Sequence, residues 1–269
     1  MVASLQVDVF VSPAIPAVTG SQEPSKSWWS PISCTLVQGP TSAVLVDTPT
    51  TIKETEELAE WIRKTLAPGT TLKYIYTTHA HGDHFFGNPI ILEQFPGSKS
   101  VATASVAAKI KRTLPATIPV WQGFFPDGQV LSDKQVAPEP LPENGEFTVD
   151  GHSLFGIDVL HSDTDASSFL HVPDLSLVVA GDIVYGWLDA LEQIAALKPS
   201  IVVPGHKRAS QSDGPYLIDR TREYILTFER ELKRLGDASQ LEETMKKLYP
   251  HRWNGFILDT SCKNSVAVL

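Results

Sequence analysis

Apolar residues along this chain come in short, strand-length runs separated by helical stretches, and several runs stop abruptly at a histidine or an aspartate. Residues 32–37 and 43–46 are two such runs on either side of Gly39-Pro40, which predicts a hairpin. Over residues 52–66 the apolar positions recur at helical spacing, and Pro68-Gly69 closes that helix. Residues 72–77 predict the next strand, helices are expected near 88–94 and 105–113, and strands should alternate through 147–180. A long amphipathic helix over 215–235 turns Leu217, Ile218, Tyr224, Ile225, Phe228 and Leu232 to one side, and a shorter one is expected near 241–248. These two helices should close the fold.

The ends of the apolar runs carry the chemistry. Residues 74–78 lead straight into His79, His81, Asp83 and His84, four donors packed into six residues. Imidazole nitrogen and carboxylate oxygen suit borderline divalent ions such as Zn²⁺, and the four stand too close together to serve one tetrahedral centre comfortably. Two ions side by side are the natural reading. Three further runs end in the same way: 157–160 at His161, 177–180 through Gly181 at Asp182, and 201–203 through Pro204-Gly205 at His206. Taken singly, the two histidines read as loop residues and Asp182 as a helix cap. Taken together they supply the missing donors, because neighbouring strand ends in a buried sheet converge on one rim.

The order His79-Ala-His81-Gly-Asp83-His84, then His161, Asp182 and His206, resembles the metallo-β-lactamase superfamily of dinuclear metallohydrolases. The stretch from Val44 to Thr48 is similar to that superfamily's strand-then-aspartate element, and the likeness runs from about Ile32 to His206. It implies an α/β (α+β) fold, the four-layer αββα sandwich, with a metal pair at one edge. The resemblance puts one ion on His79, His81 and His161 and a second on Asp83, His84 and His206, with Asp182 and a hydroxide bridging them. Two Zn²⁺ are the implied cofactors, with Mn²⁺ or Fe²⁺ as substitutes. Asp83 would orient the nucleophile and pass its proton to the leaving atom. Tyr185, three residues after Asp182, stands where the superfamily's N-acyl homoserine lactonases have a phenol aimed at the substrate carbonyl, and would steady the oxyanion. Asp47 is either a turn residue or a carboxylate that fixes a ligand histidine.

A hydroxide so placed attacks lactams, lactones and thioesters alike, so the expected activity is a metal-dependent hydrolase opening a small cyclic amide or ester. A glyoxalase II-like thioesterase is the alternative, weakened because only Lys246-Lys247 offers a cation pair in the C-terminal helices for glutathione carboxylates. A di-iron redox protein on the same fold is the further alternative. Histidine at 81 argues against it, and no Gly-rich loop is present to hold a flavin. Relatives also have a longer loop after the bridging aspartate, so a segment absent between Gly186 and Trp187 is an expectation here.

Composition narrows the partners. The net charge of −9 over 269 residues, with no basic run, argues against nucleic acid and leaves a small-molecule substrate. No apolar stretch approaches membrane-spanning length and no targeting segment is evident, so a cytoplasmic, membrane-free protein is expected. Cys34 and Cys262 lie far apart and suggest no disulfide framework. The chain reads as one domain over 1–269, with 207–269 a C-terminal helical extension that packs on the sandwich, caps the pocket or forms a homodimer surface. Trp28-Trp29, and Trp121 with Phe124-Phe125, look like loop aromatics that either line a substrate pocket or cover sheet edges. His152, His171 and His251 are read as non-catalytic.

Overall fold

The structure is a computed structural model and describes residues 4–159, 164–185, 188–252 and 254–268, the side chains of Val184 and Tyr185 excepted. In chain order it runs through β1 (Gln6–Val11), β2 (Ile15–Pro16), β3 (Trp28–Trp29), β4 (Ser33–Gln38), β5 (Ser42–Val46), α1 (Ile52–Thr65), β6 (Thr71–Tyr76), α2 (Asn88–Gln94) and β7 (Lys99–Ala102). There follow α3 (Ala104–Phe124), β8 (Glu139–Pro140), β9 (Glu146–Val149), β10 (His152–Val159), β11 (Ser167–Val172), β12 (Leu177–Gly181), α4 (Leu188–Ala196), β13 (Ile201–Pro204), α5 (Tyr216–Leu235), α6 (Ala238–Leu248) and α7 (Gly255–Ala267). One sheet has the order β1-β4-β5-β6-β7-β8, the other β13-β12-β11-β10-β9.

The continuous apolar runs are strands buried on both faces, each successive side chain serving a different layer. In β5, Ala43 and Leu45 face a core shared with Leu58, Ile62 and Ile110 of α1 and α3, while Val44 and Val46 face the space between the sheets. In β12, Leu177 and Val179 point into that same inter-sheet core, while Val178 and Ala180 meet Leu191 and Ile194 of α4 and Leu217 of α5. The result is the expected four-layer αββα sandwich. Truncating one such fully buried leucine removes about 2–5 kcal/mol, because the cavity adds to the lost transfer energy.

The predicted elements fall where the periodicity put them, apart from the unforeseen edge strands β1 and β8 and three further departures. The third helix was expected to stop near Thr113 but continues to Phe124 with Pro115 and Pro119 inside it. Both prolines sit on the exposed face, where the carbonyls their missing N–H groups would have bonded are open to solvent, and the hydroxyls of Thr113 and Thr117 bond back to Lys109 O and Thr113 O. Consequently Trp121 and Phe124 are helical, with Phe125 as the cap, and are not loop residues. The pair Trp28-Trp29 is likewise a short strand, antiparallel to Ile15-Pro16. Finally, three helices close the chain instead of two, since α7 follows α6, capped by the Asn254 side chain accepting from Ile257 N. Helices α5, α6 and α7 share a small core of Leu241, Met245 and Cys262 with Tyr224, Phe228 and Leu232 against it. Among the described residues no helix is long and apolar enough to cross a membrane.

Candidate metal centre

Two backbone hydrogen bonds draw the sheets together at one rim. Ser168 N of β11 donates to Thr78 O at 2.8 Å just beyond β6, and Ser33 N of β4 donates to Gly205 O at 2.7 Å just beyond β13. The loop after β6 and the ends of β12 and β13 therefore meet. His84 closes a tight turn, its N–H bonded to His81 O at 3.0 Å, so that alternate side chains of the loop point into the same space.

Among the described residues the donor atoms form two groups, His79 with His81 and Asp182, and Asp83 with His84 and His206. Asp182 joins them: its Oδ2 lies 3.8 Å from His79 Nε2 and 3.3 Å from His206 Nε2, and its Oδ1 lies 3.5 Å from His84 Nε2. Asp83 Oδ2 lies 3.4 Å from His206 Nε2 and 3.9 Å from His84 Nε2. Two ligands about 2.1 Å from one ion at a tetrahedral angle stand about 3.4 Å apart, so these spacings are those of atoms arranged around a metal. His84 Nε2 and Asp182 Oδ1 are buried without a well-formed hydrogen bond, which an apolar site would not sustain. The donor set fits a pair of divalent ions.

Behind the donors a second ring of groups fixes their orientation. Asp47 stands at φ 61°, a left-handed conformation an aspartate tolerates, and its Oδ2 meets His84 Nδ1 at 2.9 Å. Thr78 holds that carboxylate with its N–H and its hydroxyl, both at 2.8 Å, while the same hydroxyl lies 3.0 Å from His79 Nδ1. His206 Nδ1 donates to Pro31 O at 2.9 Å, which presents Nε2 to the centre. Trp29 Nε1 donates to Asp83 Oδ2 at 2.8 Å. Asp47 is thus the carboxylate that fixes the His84 ring, not a mere turn residue.

Electrostatics follow from this crowding. Burial disfavours charge on His84, yet the carboxylates of Asp182, Asp83 and Asp47 outweigh it and hold the imidazole well above its ordinary range. His206 is raised to about 8 on the same balance, burial opposing and Asp182 prevailing. Burial, reinforced by His84, depresses His79. For Asp182 burial is again the opposing influence, and His206 and His84 overcome it to keep the carboxylate ionised. The centre attracts positive charge to the positions a cation would fill.

Seven donors were expected from the sequence, and the structure brings His79, His81, Asp83, His84, Asp182 and His206 to one place. His161 lies outside the described residues, as do the side chain of Tyr185 and the Gly186-Trp187 junction where a missing loop was expected. For the aromatic residues, weighed as pocket lining or sheet-edge cover, the structure gives a more specific place. Trp29 and Trp121 are only 8% and 6% exposed and pack with Phe124, Phe125 and Phe256 against the donor loop, so these two indoles are walls of the loop and not of an open pocket. A side chain at Gly82 would strike the Trp121 indole at 2.8 Å, and one at Gly205 would strike Asp182 Oδ1 at 2.2 Å, so both glycines are required by close approach. Residues the sequence reading missed are Trp29 as an Asp83 partner, Thr78 and the Pro31 carbonyl. The only signal was their adjacency to strand ends.

The chain is similar to several known proteins. The family profile described as the metallo-beta-lactamase superfamily matches residues 27–206. A metal-dependent hydrolase from Thermofilum pendens is 28% identical over 167 residues, which is 55% of this chain and 72% of that protein. Among solved structures, a beta-lactamase domain protein from Burkholderia ambifaria superposes with a TM-score of 0.65 at 14% identity, covering 97% of this chain and 84% of the other. A metallo-beta-lactamase family protein from Thermus thermophilus gives 0.59 at 17% identity, covering 94% and 91%.

Proposed function

Since this chain belongs to the metallo-beta-lactamase superfamily, a family of metal-dependent hydrolases, we propose that it is a zinc hydrolase that opens a small cyclic amide or ester, a lactam or a lactone. The observation that carries the hydrolytic reading is the pair of donor groups sharing Asp182, with donor atoms 3.3–3.9 Å apart. An ion pair bound there supplies a water acidic enough to ionise near pH 7 and a Lewis acid for the scissile carbonyl. In this reading His79, His81 and His161 would hold one ion and Asp83, His84 and His206 the other, with Asp182 available to both. Asp47 and Thr78 keep His84 and His79 in the tautomers that present Nε2. Asp83 orients the nucleophile and delivers a proton to the departing nitrogen or oxygen, while the Tyr185 phenol donates to the oxygen on which charge develops.

The thioesterase alternative has the weaker support. Its cation pair, Lys246 and Lys247, forms surface ion pairs with Glu242 and Glu243 on the same helix at 2.6 and 2.7 Å, and these compete with a glutathione carboxylate. The deciding experiment is turnover of a γ-lactam, a γ-lactone and a glutathione thioester by the zinc-loaded protein, with Asp83→Ala as blank. Cyclic substrates consumed by the wild type and not by the variant are the expected result. Consumption of the thioester alone would move the assignment to a thioesterase.

A further inference from the structure

A short segment, residues 26–31, touches the Asp83-His84-His206 group at two of its three members. Trp29 Nε1 donates to Asp83 Oδ2 at 2.8 Å, and two residues later Pro31 O accepts from His206 Nδ1 at 2.9 Å. The same segment is gripped from its other side by the C-terminal helices. Lys26, 6% exposed, reaches Glu242 of α6 and Asp259 of α7 at 3.0 Å each. Asn254, which caps α7, donates to Ser30 Oγ at 2.6 Å. Phe256 of α7 packs on the Trp29 indole with centroids 6.1 Å apart, and Trp121 meets that indole edge-on at 5.0 Å.

These contacts are of unequal kind. The indole has a single N–H and spends it on a carboxylate oxygen that also faces His206 and His84. A carboxylate held by a fixed donor keeps one oxygen directed at the ion it serves, whereas a free one rotates and loses the geometry that gives affinity. The indole in turn has no freedom, because aromatic neighbours from α3 and α7 surround it. We infer that Trp29 is a positioning residue for Asp83, and that residues 26–31 act as a strap by which α6 and α7 set the affinity of the second metal position. The inference rests on the dinuclear reading above and goes beyond it, since it gives the C-terminal helices a part in holding the ion.

The test is a Zn²⁺ competition titration against a chromophoric chelator, with Co²⁺ ligand-field spectra as a second readout, on the full chain. Wild type, Trp29→Phe and Asn254→Ala are compared with Phe124→Leu, which disturbs the same aromatic cluster but not Asp83. The expected result is that Trp29→Phe weakens the second ion about 10-fold or more and leaves the first unchanged. Asn254→Ala should weaken it in the same direction by less, and Phe124→Leu, which loosens the indole but leaves its N–H donor in place, should weaken it by less than Trp29→Phe while lowering the melting temperature. Equal loss of both ions in Trp29→Phe, or equal loss in Trp29→Phe and Phe124→Leu, reduces Trp29 to packing and overturns the inference. Two ions of undiminished affinity in Trp29→Phe overturn it as well, with the dinuclear reading intact. A wild type that takes up a single ion sinks the dinuclear reading and the inference together.

Discussion

The two sheets contribute to the metal rim in contrasting ways. The first sheet supplies His79, His81, Asp83 and His84 from one turn after β6, so their mutual placement is a local property of six residues. From the second come single donors, Asp182 after β12 and His206 after β13, and their placement depends on parallel pairing of those strands and on inter-sheet bonds. One half is a local chelating motif, while the other has no meaning until the tertiary structure exists. The comparison teaches that affinity can be damaged through the distributed half by changes that touch no donor.

The sharpest way to break the contrast is Asp182→Ala. This carboxylate is within 3.8 Å of three histidines from both halves, and its removal should lower kcat ~10³-fold and strip at least one ion, as read by metal analysis of the purified variant. Full retention of both ions would mean that the halves bind independently. Gly205→Ala leaves every donor in place but drives a methyl group into Asp182 Oδ1 and to 2.9 Å from His84 Cε1. A shift near 1 Å in those donors should cost ~10²-fold in kcat/KM, and wild-type kinetics would show the distributed half to be more pliant than its geometry implies.

Within the local half, Asp47→Ala frees Thr78 and the His84 ring and should weaken Zn²⁺ roughly 10-fold, measured by chelator competition; unchanged affinity would make the turn self-sufficient. Smallest is Asp150→Ala, remote from the rim, where the carboxylate accepts from the N–H and hydroxyl groups of Thr41 and Ser42 at 2.5–3.0 Å and clamps the β4-β5 hairpin. Solvent moderates the loss to about 1 kcal/mol at neutral pH, with metal affinity untouched. Burial opposes ionisation, yet these donors outweigh it and lower the Asp150 pKa from 3.8 to about 2. Its contribution is therefore complete above the unfolded value and fades as pH falls through the folded one. Urea midpoints of wild type and variant should differ at neutral pH and converge on acidification, whereas a gap that persists to acid would exclude the carboxylate as the cause.

The same contrast governs what could be read before folding. The local half was legible outright, and the distributed donors were legible because each ends an apolar run that could only be a buried strand. The sandwich was legible through the family resemblance, and the apolar runs 43–46 and 177–180 proved to be strands covered on both faces. Less could be seen of α3, whose prolines look like a stop signal until their solvent-facing register is known. Helix α7 was missed because its apolar residues form no single stripe. The two readings of Asp47 were chemically equivalent on paper and separated only when its oxygen was seen against His84. Trp29 was weighed as a pocket wall or an edge cover, and its bond to a residue 54 positions away follows from packing alone.

The hydrogen bond from His206 to the Pro31 carbonyl joins positions 175 residues apart, and it gives the centre a place in time as well as in space. At the usual ~5–20 residues per second of synthesis, the four donors after β6 leave the ribosome on the order of 10 s before His206 does. During that interval the nascent chain carries a ready chelating loop with nothing to complete it. The finished ligand cage comes into being only when β13 arrives and its histidine finds a carbonyl made near the beginning.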